Sequence, residues 1–205
     1  MNEFDERFTT ICAVVSSSTE SYQSFLSNHE LPVSAQHLFV SGEHAALGIR
    51  QGGIGTYVSE MQKLLGSRAC VLLANMIKFD SSSLENVLSI NEIVGFVPED
   101  LDTLSIQILE VAFHLTFLLD SIRTIESDDY CGYSFRLFQA IRSKQFPVEV
   151  LSICRTHGNH VYLDAAAGAF DLNRSLLVDL REREVIENAD IVLFPSQFLK
   201  NLYES

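Results

Sequence analysis

HLFVS at residues 37–41 and GGIGTYV at residues 52–58 are the two segments that decide the fold. The first is an apolar, strand-like run, and the second opens an amphipathic segment that ends at Leu65-Gly66. A glycine-rich turn between a strand and a helix lets backbone N–H groups approach an anion closely, and the helix dipole adds to the attraction. The pattern predicts either a site for a phosphate-bearing ligand or a glycine turn with a purely structural role.

The details of the glycine run argue against two common nucleotide sites. It reads G-x-G-x-x-V from Gly53 and lacks the third glycine of a dinucleotide fingerprint, and no acidic residue follows the next strand, near Asn75, to bind a ribose hydroxyl. It also lacks the lysine of a nucleoside-triphosphate P-loop. Arg50, two residues before Gly52, favours an anion site because a guanidinium can pair with phosphate oxygens.

Composition and charge narrow the class of protein. The 205 residues are 47% hydrophobic and 20% charged, which suits one globular domain or two small ones. The net charge of −13 argues against extended binding to nucleic acid or anionic lipid. The acidic N-terminus lacks the features of a signal peptide, and no apolar run reaches about 18 residues. We therefore expect a cytoplasmic chain without stable membrane insertion.

Short strand-like runs alternate with helical patterns along the chain. The predicted strands are 10–15, 37–41, 70–74, 93–97, 121–125, 148–155 and 191–194. One predicted helix follows the glycine turn. Further helices are predicted over 104–119, 132–142, 173–188 and the residues after Pro195. This order predicts an α/β fold, a Rossmann-like parallel sheet with helices on both faces. Residues 1–35 would form an N-terminal extension packed with the sheet, and residues 36–205 the main domain.

Two smaller features carry expectations of their own. The helix predicted over 173–188, with Asp171 or Asn173 as its N-cap, contains a mixed charge run at 179–184 that we expect to form a solvated face. No two cysteines have C-x-x-C spacing, so we expect reduced thiols, mostly buried in strands. The cysteines are Cys12, Cys70, Cys131 and Cys154.

The turns that follow strands are the candidate functional sites, because parallel sheets bind ligands beyond the carboxyl ends of their strands. His157, in RTHGNH at 155–160, is either a structural or a catalytic histidine. His157 and His160 are spaced i, i+3, but no nearby cysteine or suitably spaced carboxylate completes a metal set, so no metal site is expected. The acidic turn ESDDYCG at 126–132 is either a helix cap or a carboxylate that binds sugar hydroxyls or acts as a base.

Taken together, these segments resemble the N-terminal domain of a GT-B glycosyltransferase from the retaining, glycogen-synthase- and sucrose-synthase-like family 4. Four segments carry the resemblance: the strand and glycine turn within 38–58, the acidic turn at 126–132, RTHG at 155–158, and EVIENADIVLFPS at 184–196. Their order and spacing cover about residues 36–205. The resemblance implies that the chain is the acceptor-side half of an enzyme that transfers a sugar from a nucleotide-sugar donor.

The resemblance also assigns roles to residues. It implies catalytic roles for His157 and Asp129, and donor-phosphate or substrate contacts for Arg50, Gly52, Gly53, Gly55, Asp128 and Gly158. The glycines would approach the donor diphosphate, and Arg50 stands where relatives have a phosphate-contacting lysine, which keeps the charge but not the geometry. His157 would lie beside the transferred sugar and help stabilise the transition state, while Asp129 or Asp128 would contact the acceptor or the sugar.

Members of this family hold the nucleotide mainly in a second Rossmann-like domain with an E-x7-E motif, which residues 1–205 do not contain. We therefore expect a fragment that does not transfer sugar by itself. Its implied partners are the nucleotide-sugar donor, which is a substrate rather than a cofactor, a carbohydrate or other acceptor, and its own C-terminal domain. The alternative is a self-contained α/β module that binds a phosphorylated ligand without catalysis.

Overall fold

A computed structural model describes residues 34–47, 53–77, 81, 84–146, 148–158, 165, 168 and 171–204. In this part of the chain, parallel strands form one six-stranded sheet in the order β3-β2-β1-β4-β5-β6. The strands are β1 (His37–Ser41), β2 (Ala69–Leu73), β3 (Val87–Ser89), β4 (Thr124–Asp128), β5 (Leu151–Arg155) and β6 (Ile191–Leu193). The predicted Rossmann-like α/β fold is confirmed. The strand predicted over 10–15, and residues 1–33 of the extension it belongs to, lie outside the described residues.

Helices connect the strands and cover both faces of the sheet. They are α1 (Gly53–Leu65), α2 (Ile90–Val94), α3 (Leu101–Leu118), α4 (Phe135–Arg142), α5 (Leu172–Asn188) and α6 (Gln197–Glu204). The β1-α1-β2 crossover runs towards one edge of the sheet, whereas the crossovers through α3, α4 and α5 run towards the other. Because such crossovers are right-handed, α1 covers one face, and α3, α4 and α5 cover the opposite face, where they pack side by side.

The strands form where apolar runs can be covered on both faces. All five residues of β2 are buried, as expected for the interior of a parallel sheet. On the α1 face, Phe39 of β1 packs with Val71 of β2, Val87 of β3 and Val58 of α1 in one buried cluster. This cluster fixes α1 against the first half of the sheet, and therefore fixes the direction in which its N-terminus points.

Local signals set several helix ends. The Asp100 carboxylate accepts the backbone N–H of Thr103 at 2.7 Å and so caps α3. Asp171 accepts the N–H of Arg174 at 3.0 Å, which selects Asp171 over Asn173 as the N-cap of α5. α3 has the length and apolar composition of a membrane span, but 61% of it is buried, as in the core helix of a folded domain.

Three of the predicted strands require correction, and one of them, predicted over 148–155, begins only at Leu151. The strand over 93–97 is wrong: Ile90–Val94 is a short helix that ends at Gly95, whose φ of +81° forms a left-handed cap. The strand next to β2 is instead the three-residue β3. The strand predicted over 121–125 begins three residues later and continues through Glu126 to Asp128, polar residues that we expected in the turn.

The strand order reverses between β1 and β4. Sequential strands proceed from β1 towards β3 on one side and from β4 towards β6 on the other. In open parallel sheets, ligands bind in the crevice at the carboxyl ends of the two strands that flank this reversal. In this chain the crevice lies between the residues that follow Ser41 and those that follow Asp128.

Candidate functional site

Four of the predicted site residues meet at the carboxyl edge of the sheet. Asp128 ends β4 and Asp129 follows it, while His157 and Gly158 come just after β5. β4 and β5 are neighbouring parallel strands, with Asp128 opposite Arg155, so their ends lie side by side. These two turns therefore lie at one edge of the sheet, while their predicted contacts with ligand stay predictions.

The glycine turn is described only in part. Arg50 and Gly52 lie outside the described residues, so their phosphate contacts stay predictions. Gly53 begins α1, and a side chain built on it would meet nothing within 4 Å. Gly55 is closely packed: a Cβ there would lie 3.2 Å from both the Glu43 Cβ and the His44 N. Gly55 therefore lets the first turn of α1 pack directly on the loop that follows β1.

Asp129 holds His157 at two points. The same carboxylate oxygen, Oδ1, accepts the backbone N–H of His157 at 3.0 Å and lies 3.1 Å from its Nδ1. On the other side of the ring, Nε2 lies 2.9 Å from Nη1 of Arg155. A guanidinium can only donate, so Nε2 is the acceptor and the proton sits on Nδ1, facing the carboxylate. The imidazole is therefore fixed in one orientation and one tautomer.

A tyrosine from the last described helix donates a hydrogen bond to the second carboxylate oxygen of Asp129. The Tyr203 hydroxyl of α6 donates to Oδ2 of Asp129 at 2.7 Å. Burial, together with the charge of Asp129, raises the pKa of Tyr203, so the hydroxyl remains a donor. Asp129 is fully buried, and these bonds satisfy both of its oxygens. Sequence reasoning did not identify Tyr203, because its partner lies far away in the chain.

A buried charge network lies beneath His157. Nε of Arg155 donates to Oε1 of Glu126 at 3.1 Å, and His37 approaches the other carboxylate oxygen at 3.2 Å, without the alignment of a good hydrogen bond. Burial would raise the pKa of Glu126, but the contacts with His37 and Arg155 outweigh it and hold the pKa below its usual value. The Arg155 guanidinium also lies 3.8 Å from the centre of the Tyr57 ring of α1, a cation–π contact.

This network explains the polar residues inside β4. Glu126 and Ile153 are opposite each other across β4 and β5, and Glu126 is only 3% exposed. An unpaired carboxylate at that depth is costly, whereas one bonded to Arg155 is tolerated. The available signal was the first residue of the segment predicted as an acidic turn, Glu126, which directly follows a predicted strand, combined with an arginine at the end of the next predicted strand.

Asp128 differs from its neighbour Asp129 in how it is bonded. Its Oδ2 accepts the Tyr133 hydroxyl at 2.6 Å, but its Oδ1 is buried and has no hydrogen-bond partner among the described residues. Burial raises the pKa of Asp128 to about 6, although His157, Tyr133 and Arg155 partly oppose that rise. The two adjacent carboxyl groups therefore have different environments.

The turn that carries both carboxylates packs against α5 through buried charges, which corrects one expectation. Within the run predicted as a solvated face, Arg181 and Glu182 are buried. Glu182 accepts the backbone N–H of Cys131 at 3.1 Å, and Arg181 forms an ion pair with Asp102 of α3 at 2.8 Å. Gly132 touches the backbone of α5 here, so the helix must approach closely, and its charges find partners instead of water.

The described cysteines are free thiols, in line with the expected reduced state. Cys70 and Cys154 are buried and Cys131 is half-buried, while Cys12 lies outside the described residues. Burial raises the pKa of Cys70 and of Cys131 to about 12, so these thiols stay protonated near neutral pH. Nothing in these environments resembles an activated nucleophile.

Comparisons with known proteins add no identification. No protein-family model matches the sequence, and no curated protein matches it. Within the described residues, no three His, Cys, Asp or Glu side chains come together in a way that could hold a metal ion. Functional assignment therefore depends on the geometry of the carboxyl edge and on the sequence motifs that build it.

Proposed function

We propose that this chain is the acceptor-side half of a retaining glycosyltransferase that uses a nucleotide-sugar donor. The observation that carries the proposal is His157, held by the buried Asp129 at the carboxyl edge of the sheet. Its support is the coincidence of this pair with the ligand-binding edge of a Rossmann-like fold and with motifs that resemble family 4. A histidine fixed in one tautomer suits a site where a sugar must be oriented.

In this proposal the residues divide into contacting and positioning groups. His157 is the side chain that would touch the transferred sugar, and Asp129 would act through it by fixing its orientation. The N-terminus of α1, with Gly53, would face the departing diphosphate, where its amide groups and dipole stabilise developing negative charge. Arg50 would add a positive charge at the same place.

Transfer would require the second, donor-binding domain that the family resemblance implies. The donor nucleotide would be held mainly by that domain, and the cleft between the two domains would exclude water from the reacting centre. The 205-residue chain would then bind the acceptor and part of the donor diphosphate, without turnover of its own.

The test is an assay of the full-length gene product against a panel of nucleotide sugars, with product formation measured by mass spectrometry. We expect transfer from at least one donor, and a loss of turnover of about 100-fold in His157→Ala, the usual effect of removing one group that stabilises a transition state. Arg183→Ala is the control, because Arg183 is exposed on α5 and, among the described residues, bonds locally to Asp179. No transfer from any donor, or wild-type turnover in His157→Ala, would contradict the proposal.

A second candidate is a binding module for a phosphorylated ligand, which the strand order of the described sheet favours. A sheet of order 3-2-1-4-5-6 contains its whole switch-point crevice in one domain. Calorimetric titration of the 205-residue chain with pyrophosphate distinguishes the two functions by the binding affinity that it measures. Micromolar affinity in the absence of any second domain would favour the module, and weak millimolar binding would favour the enzyme half.

A further inference from the structure

A continuous chain of hydrogen bonds crosses the crevice between β1 and β4. The backbone N–H of Gly42, just after β1, donates to the Tyr133 hydroxyl at 3.0 Å. That hydroxyl donates in turn to Oδ2 of Asp128, at the end of β4, at 2.6 Å. Tyr133 and Asp128 are both buried, so the bond between them is shielded from water, whereas Gly42 is half-buried.

Gly42 is held on its other side as well. Its carbonyl oxygen accepts Nδ2 of Asn75, after β2, at 2.7 Å. A Cβ on Gly42 would lie 3.5 Å from the Ala74 oxygen and 3.7 Å from the Tyr133 ring. Both polar groups of this residue are therefore bonded to side chains, one from the residues after β2 and one from the turn before α4, and these two bonds hold the start of the loop after β1.

We infer that Tyr133 is a positioning residue that couples the protonation of Asp128 to the loop after β1. An ionised Asp128 draws the phenolic proton towards itself, which makes the phenolic oxygen a stronger acceptor for the Gly42 N–H. A protonated Asp128 lacks this effect, so the bond to Gly42 weakens. Tyr133 itself stays protonated, because burial and the charge of Asp128 raise its pKa well above the usual value.

The environment of Asp128 raises its pKa towards neutral pH. Burial raises its pKa to about 6, and the unpartnered Oδ1 is consistent with a carboxyl group that gains a proton readily. Among the described residues, the titratable or charged groups that interact with Asp128 include Asp129, Tyr133 and Cys131 from its own turn, and Arg155, Cys154 and His157 from β5 and the residues after it. Burial raises the pKa of both thiols, so neither of them supplies a charge near pH 6.

The coupling reaches α1 through direct packing. Gly55 of α1 lies against Glu43 and His44, the two residues that follow Gly42. A change in how Gly42 is held is therefore passed to the first turn of the helix by backbone and Cβ contacts rather than by a flexible side chain. The N-terminus of α1 would respond to the protonation state of a carboxyl group on a strand at the other side of the crevice.

The test is a pH titration of the isotopically labelled 205-residue chain by NMR between pH 4.5 and 8, about the range in which Asp128 titrates. It follows the amide of Gly42 and the carboxyl carbon of Asp128. We expect both signals to share one midpoint in the wild type. In Tyr133→Phe the Asp128 carbon should still titrate, whereas the Gly42 amide should lose that transition.

Control variants separate this coupling from other titrations in the same range. Tyr203→Phe removes a hydroxyl that bonds Asp129 instead, so Gly42 should keep its transition. His157→Gln removes the nearby histidine, and Gly42 should again keep it. Loss of the Gly42 transition in His157→Gln would assign it to the histidine and overturn the inference.

Two further outcomes decide the matter. A Gly42 amide that does not titrate with Asp128 in the wild type, or that still does in Tyr133→Phe, overturns the coupling. If Tyr133→Phe does not fold, Asp128→Asn replaces it: disappearance of the Gly42 transition supports the inference, and its persistence overturns it. The inference goes beyond the proposed function, and its test measures no activity, so either can fail without the other.

Discussion

Replacing Gly132 by alanine should destabilise the fold far more than an ordinary glycine substitution. Gly132 has a φ of +59°, a conformation that costs a residue with a side chain about 1 kcal/mol. In addition, its Cβ would lie 2.4 Å from the Cβ of Arg181, 2.5 Å from the carbonyl carbon of Arg181 and 2.7 Å from the backbone nitrogen of Glu182. Two of these atoms belong to the backbone of α5 and cannot rotate away, so α5 must move.

The expected loss is about 3 to 4 kcal/mol, because overpacking at a rigid contact adds about 2 to 3 kcal/mol to the cost of the backbone conformation. Gly66→Ala is the matched control: Gly66 has a φ of +57°, but a Cβ there would meet nothing within 4 Å. It should lose only about 1 kcal/mol. The difference between the two variants isolates the contact between the acidic turn and α5.

Urea denaturation measures both values, and because the chain has no tryptophan, unfolding is followed by far-UV circular dichroism. The same variant has a second readout at the site, since a displaced turn should loosen Asp129 and change the imidazole signals of His157. Equal destabilisation by Gly132→Ala and Gly66→Ala would refute the reasoning, because it would mean that the turn does not depend on close packing against α5.

Three further predictions concern the buried polar groups. Tyr203→Phe should reduce stability by about 2 kcal/mol and speed hydrogen exchange in α6, because one oxygen of the buried Asp129 loses its donor; unchanged exchange would mean that this bond does not hold the helix. Asp128→Asn should exceed the wild type in stability above pH 6, by up to about 3 kcal/mol, because the carboxyl pKa is raised to about 6 in the folded state. The wild type is stabilised by a protonated Asp128; this contribution is full below the ordinary pKa of an aspartate and is lost as the pH rises through about 6. The advantage of the variant over the wild type should therefore disappear towards pH 4, as measured by urea titrations at several pH values. Glu126→Gln should show the opposite trend, destabilising by about 3 kcal/mol at pH 7 because Arg155 loses its partner, with a difference that shrinks as the pH falls through the lowered pKa of Glu126; a constant difference would contradict the ion pair.

The parts of the fold that sequence reasoning predicted are those with local causes. Continuous apolar runs identified β1, β2, β5 and β6, and an acidic N-cap at Asp171 identified the start of α5. The misplaced strand at 93–97 has a local explanation too: its apolar residues fit either a strand or a helix, and the cap at Gly95 decides for the helix. Short apolar runs carry this ambiguity because their periodicity is too brief to read.

The candidate site divides in the same way. The meeting of the His157 and Asp129 turns could be predicted, because each turn follows a predicted strand and parallel neighbours end at one edge. Their partners could not, since Tyr133 and Tyr203 belong to patterns typical of helices and carry no mark of a buried hydroxyl. Within the charge run on α5, Arg181 and Glu182 were wrongly placed in solvent for the same reason: Glu182 is buried where a turn distant in the sequence approaches it.

The hydrogen bonds that build the site join residues far apart in the chain, and this determines when the site can exist. His157 and Asp129 are 28 residues apart, Tyr203 and Asp129 are 74 apart, and Gly42 and Tyr133 are 91 apart. Loops of this length close late, because their closure entropy must be offset by strand pairing that is itself non-local. During synthesis, the hydrogen bond between Gly42 and Tyr133 cannot form until Tyr133 has been synthesised. The bond between Asp129 and Tyr203 likewise cannot form until Tyr203 has been synthesised. An organised His157 is therefore a marker of a finished sheet, and a partly folded chain carries the same residues without the site.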